Sequence, residues 1–547
     1  MKKYISVLLA LVLFISSFVG CSGNNGNKKK NDTDKVDENL IDISKYTVIR
    51  PDMCERTTVT AAANLRKQIF KYTSAEVPVA IDVDLDAVEY EILVGRTNRQ
   101  ESIDAYAELS EKKDDKVIMI KTVGNKIILL GKNDNYTALA VRRFILAYVA
   151  PSKYKGRLSL ERGDMTKIGN SGQVLTVGPD GQVVVLERMS TIFSPYDTND
   201  TEWRSYPKII KLEHQPDPKN NGVLIATNEN INLNPWSIYR SMDDGETWEV
   251  LKPYRNDIAK DASPGYQPYL YELPADVGEY KKGTILFSAC VYSPWRTVLI
   301  LAHSVDLGES WKGISEIAEG GVNNQDRWLK DGIWEPFLQY DEESKRFFCF
   351  YSDQSDPKYE QKLAFRYTTD LVNWSKTYSV TGDKEYGVGM VALTKMGNGK
   401  WALAFECCKI GGYNLPIHIK YSDHIWEWKV SDLGTEVRTP DGVGLESGPG
   451  MAWTPAGGED GVLFLCALDG LDSKTDSKCD LFMSFDYGKS FVAIENPIPV
   501  KKTDKHRSSY SPAFFVDKDG CIYYVNNPAP GEEFSCGSLV MTKIRVY

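Results

Sequence analysis

The chain has 547 residues, which is too many for one ordinary hydrophobic core unless that core is a closed repeat. Hydrophobic residues make up 42% of it and aromatic residues 11%, enough to fill such a core. The net charge of −10 argues against a nucleic-acid-binding protein, because phosphate binding needs a cationic surface.

The first residues are typical of a bacterial signal peptide. Lys2 and Lys3 precede an apolar run at residues 5–19. Phe18-Val-Gly-Cys21 then resembles a lipobox, in which the cysteine is acylated and becomes the mature N-terminus; an ordinary cleaved signal with an incidental cysteine is the alternative. We therefore expect residues 1–21 to be a lipoprotein signal with Cys21 as the lipidation site, and the protein to be anchored to the membrane at the bacterial cell surface.

Residues 22–40 are polar and charged and predict a flexible tether. The other nine cysteines have no regular spacing and form no CxxC motif, and the chain has only five histidines. This pattern indicates neither a disulfide framework nor a zinc site, and we expect no cofactor and no catalytic metal. One or two disulfides and a structural Ca²⁺ remain open.

Residues 41–165 predict a small α/β domain. The predicted elements are helices at residues 58–72 and 136–148, a strand at 90–94, and a hairpin formed by residues 116–121 and 126–130. Through Ile92-Leu-Val-Gly-Arg-Thr-Asn98 this domain resembles the accessory α/β domain that precedes the catalytic domain in bacterial glycosidases of the hexosaminidase and α-glucuronidase types. No GxGxxG motif or P-loop supports phosphate binding here.

A pattern Ser-x-Asp-x-Gly-x-x-Trp organises the rest of the chain. It is complete at residues 241–248 and 304–311, and it returns in weaker forms around Asp370, Asp423 and Asp486. The intervals between its aspartates are 63, 64, 53 and 63 residues. The aspartate can accept hydrogen bonds from the turn's backbone, the glycine can adopt positive φ, and the aromatic ring can pack beneath the turn.

The pattern resembles the Asp box of sialidase-type β-propellers, which reports the fold better than the activity. Residues 170–547 are long enough for six repeats of this period, so the expected fold class is mainly β: a six-bladed β-propeller preceded by the small α/β domain. The last repeat has no Asp pattern and runs out of chain. We expect residues 174–186 to supply its outer strand and close the ring.

The blade geometry predicts where the binding site lies. The Asp turns follow the third strand of each blade, so the starts of the first strands and the loops between second and third strands share the opposite face, the mouth of the ring. From that placement, and from the guanidinium groups nearby, the predicted substrate-binding residues are Tyr206, Lys208, Tyr292, Trp295, Arg296, Arg327, Trp334, Asp353, Glu446 and Arg507.

Glu335 and Glu406 are predicted on neighbouring blades at this mouth, both in apolar surroundings. Burial raises the pKa of a carboxyl group, and two carboxyl groups in different environments are what acid-assisted glycosidic cleavage uses. Clustered Trp and Tyr side chains suit the apolar faces of sugar rings. A glutamate at a strand end is more often solvated or ion-paired, so it is the combination of the two positions that favours a catalytic pair.

Trp334-Glu335-Pro336 and Phe405-Glu406, 71 residues apart between the two glutamates, resemble the motifs of glycoside hydrolase family 93, the exo-arabinanases. The resemblance covers about residues 205–510. It implies a retaining mechanism with Glu335 as acid/base, Glu406 as nucleophile, and Tyr510 as the partner of the nucleophile. Lys208 departs from the family's usual arginine, and the α/β domain is not part of its usual layout.

The sequence therefore predicts a surface-anchored, exo-acting, retaining glycoside hydrolase with a carbohydrate substrate, best matched to α-L-arabinofuranosyl chains of arabinan. We expect it to be a monomer that contacts the membrane only through its lipid anchor. Two alternatives stay open. One is a sialidase, although the first-blade arginine of that class is missing; the other is a propeller that only binds a glycan or a protein.

Overall fold

The computed structural model describes residues 37–195, 204–230, 235–262, 265–321, 331–409, 415–470, 480–500, 510–531, 533–535 and 537–547. The predicted positions Cys21, Arg327 and Arg507 lie outside these residues. The chain is mainly β, with a β-propeller arrangement that follows a small α/β region, as predicted. None of the helices in the described ranges is long and apolar enough to cross a membrane.

The N-terminal region is built on a six-stranded mixed sheet. The whole region contains eight strands: β1 (Leu40–Asp42), β2 (Thr47–Arg50), β3 (Val79–Ile81), β4 (Glu91–Val94), β5 (Val117–Val123), β6 (Lys126–Gly131), β7 (Arg157–Glu161) and β8 (Met165–Asn170). The sheet order is β3-β2-β4-β6-β5-β8, while β1 pairs with β7. Because β8 pairs with β5 up to Asn170, the sheet continues past the predicted end at residue 165.

Three helices pack on this sheet: α1 (Arg56–Thr73), α2 (Gln100–Ser110) and α3 (Asp134–Phe144), the last continued by a π turn (Ile145–Val149). In α1 the buried residues Ala61, Leu65 and Ile69 follow one another at four-residue steps, so they form the stripe that faces the core. Helices α1 and α3 agree with the predicted ones. Helix α2 was not predicted; only Ser102, Ala105 and Leu109 of it are buried, a weak apolar pattern.

Strands β9 (Gln173–Val177) and β10 (Val183–Phe193) link the two parts of the chain. We expected one strand over residues 174–186, but Pro179-Asp180-Gly181 makes a turn inside that span, with Gly181 at φ 78°. The hairpin still closes the ring, because β10 pairs with the last strand of the chain.

The propeller region consists of five sheets. The first two have four strands each: β11 (Arg204–Lys211), β12 (Leu224–Asn230), β13 (Ser237–Ser241) and β14 (Glu249–Val250), then β15 (Gly265–Glu272), β16 (Ile285–Tyr292), β17 (Thr297–Ser304) and β18 (Lys312–Gly320). The third has eight strands: β19 (Ile333–Asp341), β20 (Arg346–Asp353), β21 (Gln361–Thr368), β22 (Tyr378–Asp383), β23 (Tyr386–Lys395), β24 (Trp401–Lys409), β25 (Ile417–Ser422) and β26 (Thr435–Glu436). The fourth contains β28 (Gly450–Thr454), β29 (Val462–Cys466), β31 (Leu481–Ser484) and β32 (Val492–Ile494), and the fifth contains β33 (Ala513–Val516), β34 (Ile522–Asn526), β35 (Leu539–Val546), β10 and β9. A short pair, β27 (Leu445–Glu446) with β30 (Asp469–Gly470), lies beside them.

The eight-stranded sheet contains two antiparallel runs, β19 to β22 and β23 to β26, joined only through Gln361 and Gly387. The first strands of the runs contact one another in a closed cycle: β11, β15, β19, β23, β28, β33 and again β11. Those strands therefore surround a common axis.

The repeated aspartate turns connect third and fourth strands, on the face away from the predicted mouth. After β13, Ser241 Oγ donates to Asp243 Oδ1 (2.8 Å) and accepts the Gly245 N–H (2.8 Å). Asp243 Oδ1 also accepts the Thr247 N–H (2.8 Å), and Gly245 has φ 87°. The turns after β17 and β31 repeat these bonds, so each turn is stabilised by its own side chains.

The α/β region docks on the hairpin that closes the ring. Val183 and Val185 of β10 are fully buried in the same hydrophobic cluster as Leu65 of α1 and Phe144 of α3. Asn64 Nδ2 donates to the Asp180 carbonyl at 2.7 Å. The closing hairpin is therefore buried between the helices on one side and β35 on the other.

Candidate active site

The first strands around the axis share an irregularity at the mouth. Four of them have a shift in register at the same point, which is the signature of a β-bulge. Left-handed backbone conformations occur at Tyr206 (φ 48°), Gln267 (φ 52°), Glu335 (φ 60°), Met390 (φ 56°), Ser447 (φ 61°), Gly448 (φ 57°) and Ser511 (φ 57°). For residues other than glycine this conformation costs about 1–3 kcal/mol and is concentrated at functional sites.

Glu335 projects from the bulge of β19 and its carboxyl group is surrounded by donors. Ser352 Oγ donates to Glu335 Oε2 at 2.5 Å, and the Met390 N–H donates to the same oxygen at 3.3 Å. Tyr206 Oη lies 3.5 Å from Glu335 Oε1. Burial raises the pKa of the Glu335 carboxyl, while these three donors and the Lys208 ammonium act in the opposite direction by stabilising its charged form.

Glu406 lies near the end of β24, and its Oε2 accepts hydrogen bonds from Ser447 Oγ and the Gly448 N–H, both at 3.1 Å. Burial, followed by the negative charge of Glu335, raises the pKa of Glu406 to about 7. The charge of Glu446 acts in the same direction. Glu406 therefore holds its proton to a higher pH than an ordinary glutamate does.

A chain of short contacts limits the distance between the two carboxyl groups. A β-carbon on Gly389 would lie 3.3 Å from Ser352 Oγ and 3.5 Å from Glu406 Oε1, and Ser352 Oγ itself lies 2.5 Å from Glu335 Oε2. Laid end to end, these three segments put the nearest carboxyl oxygens at most about 9 Å apart, which does not exceed the largest separation found in glycosidase carboxyl pairs, about 9.5 Å.

Tyr206, Lys208 and Tyr510 join Glu335 at the mouth. The rings of Tyr206 and Tyr510 meet edge to face with centroids 5.2 Å apart, and the Tyr206 N–H donates to the Tyr510 carbonyl at 3.0 Å. Burial lowers the pKa of the Lys208 ammonium to about 8, although the negative charge of Glu335 favours the protonated form. Tyr510 thus contacts the tyrosine that approaches Glu335.

Three further predicted residues have their polar groups engaged nearby. Trp334 Nε1 donates to Gln354 Oε1 at 3.1 Å. Glu446 Oε1 accepts the Leu415 N–H at 2.8 Å, and its charge reaches Glu406. Asp353 is buried 3.5 Å from the Lys362 ammonium, which indicates a structural ion pair rather than a group open to substrate.

The hairpin between β16 and β17 carries the remaining predicted residues. The ring of Tyr292 stacks on that of Tyr266, with centroids 5.3 Å apart. Trp295 is 71% exposed at the tip. Arg296 forms ion pairs with Asp261, which precedes β15, and with Glu316 and Glu319 of β18, so its guanidinium is engaged by neighbouring carboxylates.

Sequence reasoning missed Glu229, Gln267, Ser352, Met390 and Ser447, all of which contact Glu335, Glu406 or each other. One signal could have found several of them. A proline follows the left-handed residue in five of the six first strands, at Tyr206-Pro207, Gln267-Pro268, Glu335-Pro336, Gly448-Pro449 and Ser511-Pro512. The repeated proline marks the bulge whose residues converge on the axis.

A cavity of about 450 Å³ opens beneath Glu335 along the axis, and Tyr206, Lys208, Gln267, Met390 and Ser511 are among the residues that line it. Its size falls within the range of small-molecule sites. The cavity can therefore hold a small ligand group beside Glu335, among aromatic and polar side chains.

The fold is shared with solved glycosidase propellers. An α-L-arabinanase from Penicillium chrysogenum, solved with arabinobiose, is 27% identical over 66% of this chain and 98% of that chain, with a TM-score of 0.53. The α-L-arabinofuranosidase of Fusarium graminearum is 24% identical over 66% of this chain and 97% of that chain, with TM-scores of 0.55 with an iminosugar inhibitor and 0.54 with arabinobiose. No protein-family model matches the sequence, and no curated protein matches it.

Proposed function

We propose that this protein is a glycoside hydrolase in which Glu335 and Glu406 are the catalytic pair. The observation that carries the proposal is their convergence at the mouth of the ring, no more than about 9 Å apart, with different hydrogen-bond environments. A separation above about 12 Å would instead have favoured a propeller that only binds glycans, because no single glycosidic bond could reach both groups.

We assign the proton-donating role to Glu406 and the nucleophilic role to Glu335. Glu406, whose pKa is raised to about 7, keeps a proton at neutral pH that it can give to the leaving oxygen. Burial raises the pKa of Glu335 as well, but three hydrogen bonds and the nearby Lys208 ammonium oppose that rise by stabilising the carboxylate. This order is the reverse of the one implied by the family resemblance.

The proposed reaction is a double displacement. The Glu335 carboxylate attacks the anomeric carbon while Glu406 protonates the glycosidic oxygen, so that the C–O bond breaks and a glycosyl ester forms on Glu335. Glu406, now a carboxylate, takes a proton from a water molecule that attacks the same carbon and releases Glu335. Two inversions retain the anomeric configuration, and NMR of the first product formed tests this directly; an inverted product would exclude the ester intermediate.

The proposed substrates are α-L-arabinofuranosyl chains, attacked from the end. Support comes from the likeness to the Penicillium chrysogenum arabinanase, solved with arabinobiose, at 27% identity. Incubation with arabinan, arabino-oligosaccharides, other plant polysaccharides and host sialosides, followed by identification of the released sugars, tests the specificity. Release of arabinose or arabinobiose supports it, whereas release of sialic acid alone would transfer the protein to the sialidase class.

We also propose that the ring has six blades, on the closed cycle of six first strands, and that Cys21 anchors the protein to the cell surface as a lipoprotein. Metabolic labelling with a radioactive fatty acid and detergent phase partition of the full chain test the anchor. Cys21→Ala is expected to abolish both labelling and partition into the detergent phase, and labelling that persists in this variant would place the lipid elsewhere.

A further inference from the structure

Glu229, in β12, occupies the same place in its sheet that Glu406 occupies in β24. Glu229 pairs with Ser205, the residue before left-handed Tyr206. Glu406 pairs with Gly389, the residue before left-handed Met390. The two glutamates are thus equivalent by register, although only Glu406 was predicted from the sequence.

Both carboxyl groups also make the same bond to the next sheet of the ring. Glu229 Oε2 accepts the N–H of left-handed Gln267 at 2.8 Å, and Glu406 Oε2 accepts the N–H of left-handed Gly448 at 3.1 Å. A hydrogen bond that a backbone N–H donates to a charged acceptor is among the stronger interactions that can stabilise a strained bulge. Glu229 is therefore placed to hold Gln267 in its conformation.

Gln267 in turn contacts Glu335 at two points. Its Oε1 accepts the Glu335 N–H at 3.2 Å. Its side chain also hydrogen-bonds to Tyr206, whose Oη lies 3.5 Å from Glu335 Oε1. A single residue consequently connects Glu229 with both the backbone and the carboxyl group of Glu335.

Glu229 is only 4% exposed and belongs to the same electrostatic cluster. Burial raises the pKa of Glu229 to about 7; the charge of Glu335 adds to this, while hydrogen bonds from Gln267 and Ser205 oppose it. The titratable groups that face it from the surrounding strands are Tyr206 of β11, Tyr266 of β15, Cys290 of β16 and Glu335 of β19. Glu335 therefore has a buried carboxyl group on each side, Glu229 and Glu406.

We propose that Glu229 is a positioning residue of the catalytic site, which fixes Gln267 so that Glu335 keeps its orientation. This inference rests on the proposed function of that pair. Loss of the carboxyl group frees the bulge at Gln267, and small displacements of a reacting group lower the rate of the chemical step more than they weaken substrate binding.

The experiment compares Glu229→Ala, Glu229→Gln and the matched control Asp82→Asn. Asp82 lies in the α/β region, is buried, and accepts the backbone N–H groups of Asp52 (3.1 Å) and Asn98 (2.7 Å), so it makes the same kind of bond outside the sheets that carry Glu335. Glu229→Ala is expected to lower kcat about 10- to 100-fold with little change in KM. Glu229→Gln keeps an acceptor for Gln267, so kcat stays within a few fold of the wild type. Asp82→Asn keeps kcat while losing thermal stability.

Crystal structures of the variants supply a readout that needs no activity. In Glu229→Ala, Gln267 and Glu335 are expected to move; if both stay in place, or if kcat remains that of the wild type while Glu335→Gln is inactive, the positioning role is refuted. If Glu229→Ala does not fold, Glu229→Asp decides, because its shorter side chain withdraws the acceptor from Gln267 and a wild-type kcat would refute the role. A wild-type protein that cleaves no glycan would refute the proposed function, and the positions of Gln267 and Glu335 would still judge the role of Glu229.

Discussion

Ser352 Oγ donates to Glu335 Oε2 at 2.5 Å, and Ser352 Oγ itself accepts the Met390 N–H at 3.1 Å. Because one backbone donor already occupies the hydroxyl oxygen, its proton is directed at Glu335. A donor aimed at a carboxylate stabilises the charged form and lowers the pKa of the carboxyl group. Ser352 thus offsets part of the effect of burial on the proposed nucleophile.

Replacing Ser352 with alanine is therefore expected to raise the pKa of Glu335. The first step needs Glu335 ionised, so the acidic limb of kcat/KM moves to higher pH by about one unit or less, with smaller losses near neutral pH. Ser447→Ala is the matched control, since it removes a donor from Glu406 instead and raises that pKa. Ser447→Ala is expected to shift the alkaline limb to higher pH. If Ser352→Ala moved the alkaline limb and Ser447→Ala the acidic limb, Glu335 would be the acid/base and Glu406 the nucleophile.

The roles of the catalytic pair are separable by substrate. Glu335→Gln and Glu406→Gln are both expected to abolish cleavage of arabinan, with the circular dichroism spectrum of the folded protein unchanged. Replacing the proposed acid/base with the small residue alanine, Glu406→Ala, is expected to keep turnover of an aryl glycoside, because its leaving group needs no proton. With added azide the same variant is expected to form a glycosyl azide, because azide can take the place of the water that the base would activate. Glu335→Ala does neither under the same conditions. The opposite pattern would restore the order implied by the family resemblance.

Gly389 provides a test of the space between the two carboxyl groups. A β-carbon there would lie 2.4 Å from Gln361 Nε2 and would also crowd Ser352 Oγ and Glu406 Oε1. Gly389→Ala is expected to lower kcat by about 10-fold or more through displacement of these groups. Gly387→Ala, two residues earlier on β23, meets its nearest neighbours at 3.8 Å and is expected to be close to wild type. Equal kinetics for the two variants would show that this gap is not part of the site.

The propeller arrangement and the catalytic candidates were accessible from the sequence for different reasons. Asp243 and its repeats mark turns that are held by local bonds, so their spacing survives as a pattern in the chain. Glu335 and Glu406 stood out because they combine a strand end with apolar neighbours. Glu229 has the same environment, but it lies in Ala226-Thr-Asn-Glu229-Asn, where polar neighbours hide the burial that the next sheet imposes.

Other features depend on contacts that no local pattern contains. Arg296 was predicted to bind substrate from its position in the chain, which remains a prediction; the chain gave no sign of its ion pairs with Asp261, Glu316 and Glu319. Asp353 is likewise paired with Lys362. Positions in a repeat can be predicted from spacing, whereas the direction and partner of a long side chain depend on tertiary packing.

The raised pKa of Glu406 also affects the stability of the fold. Its pKa is about 7 in the folded protein against 4.5 for an ordinary glutamate, so between these values the folded state binds more protons than the unfolded state does. The free energy of unfolding is therefore unaffected by this group below about pH 4.5, falls as the pH rises from about 4.5 to 7, and stays lower above that. Glu406→Gln removes this dependence and is expected to be more stable than the wild type at pH 8, by up to about 3 kcal/mol, but not at pH 4. Urea unfolding of both proteins at pH 4, 6 and 8 measures it, and the difference between the curves cancels the other titrating groups. Parallel curves would mean that Glu406 is ionised in the folded protein at neutral pH and cannot serve as the acid.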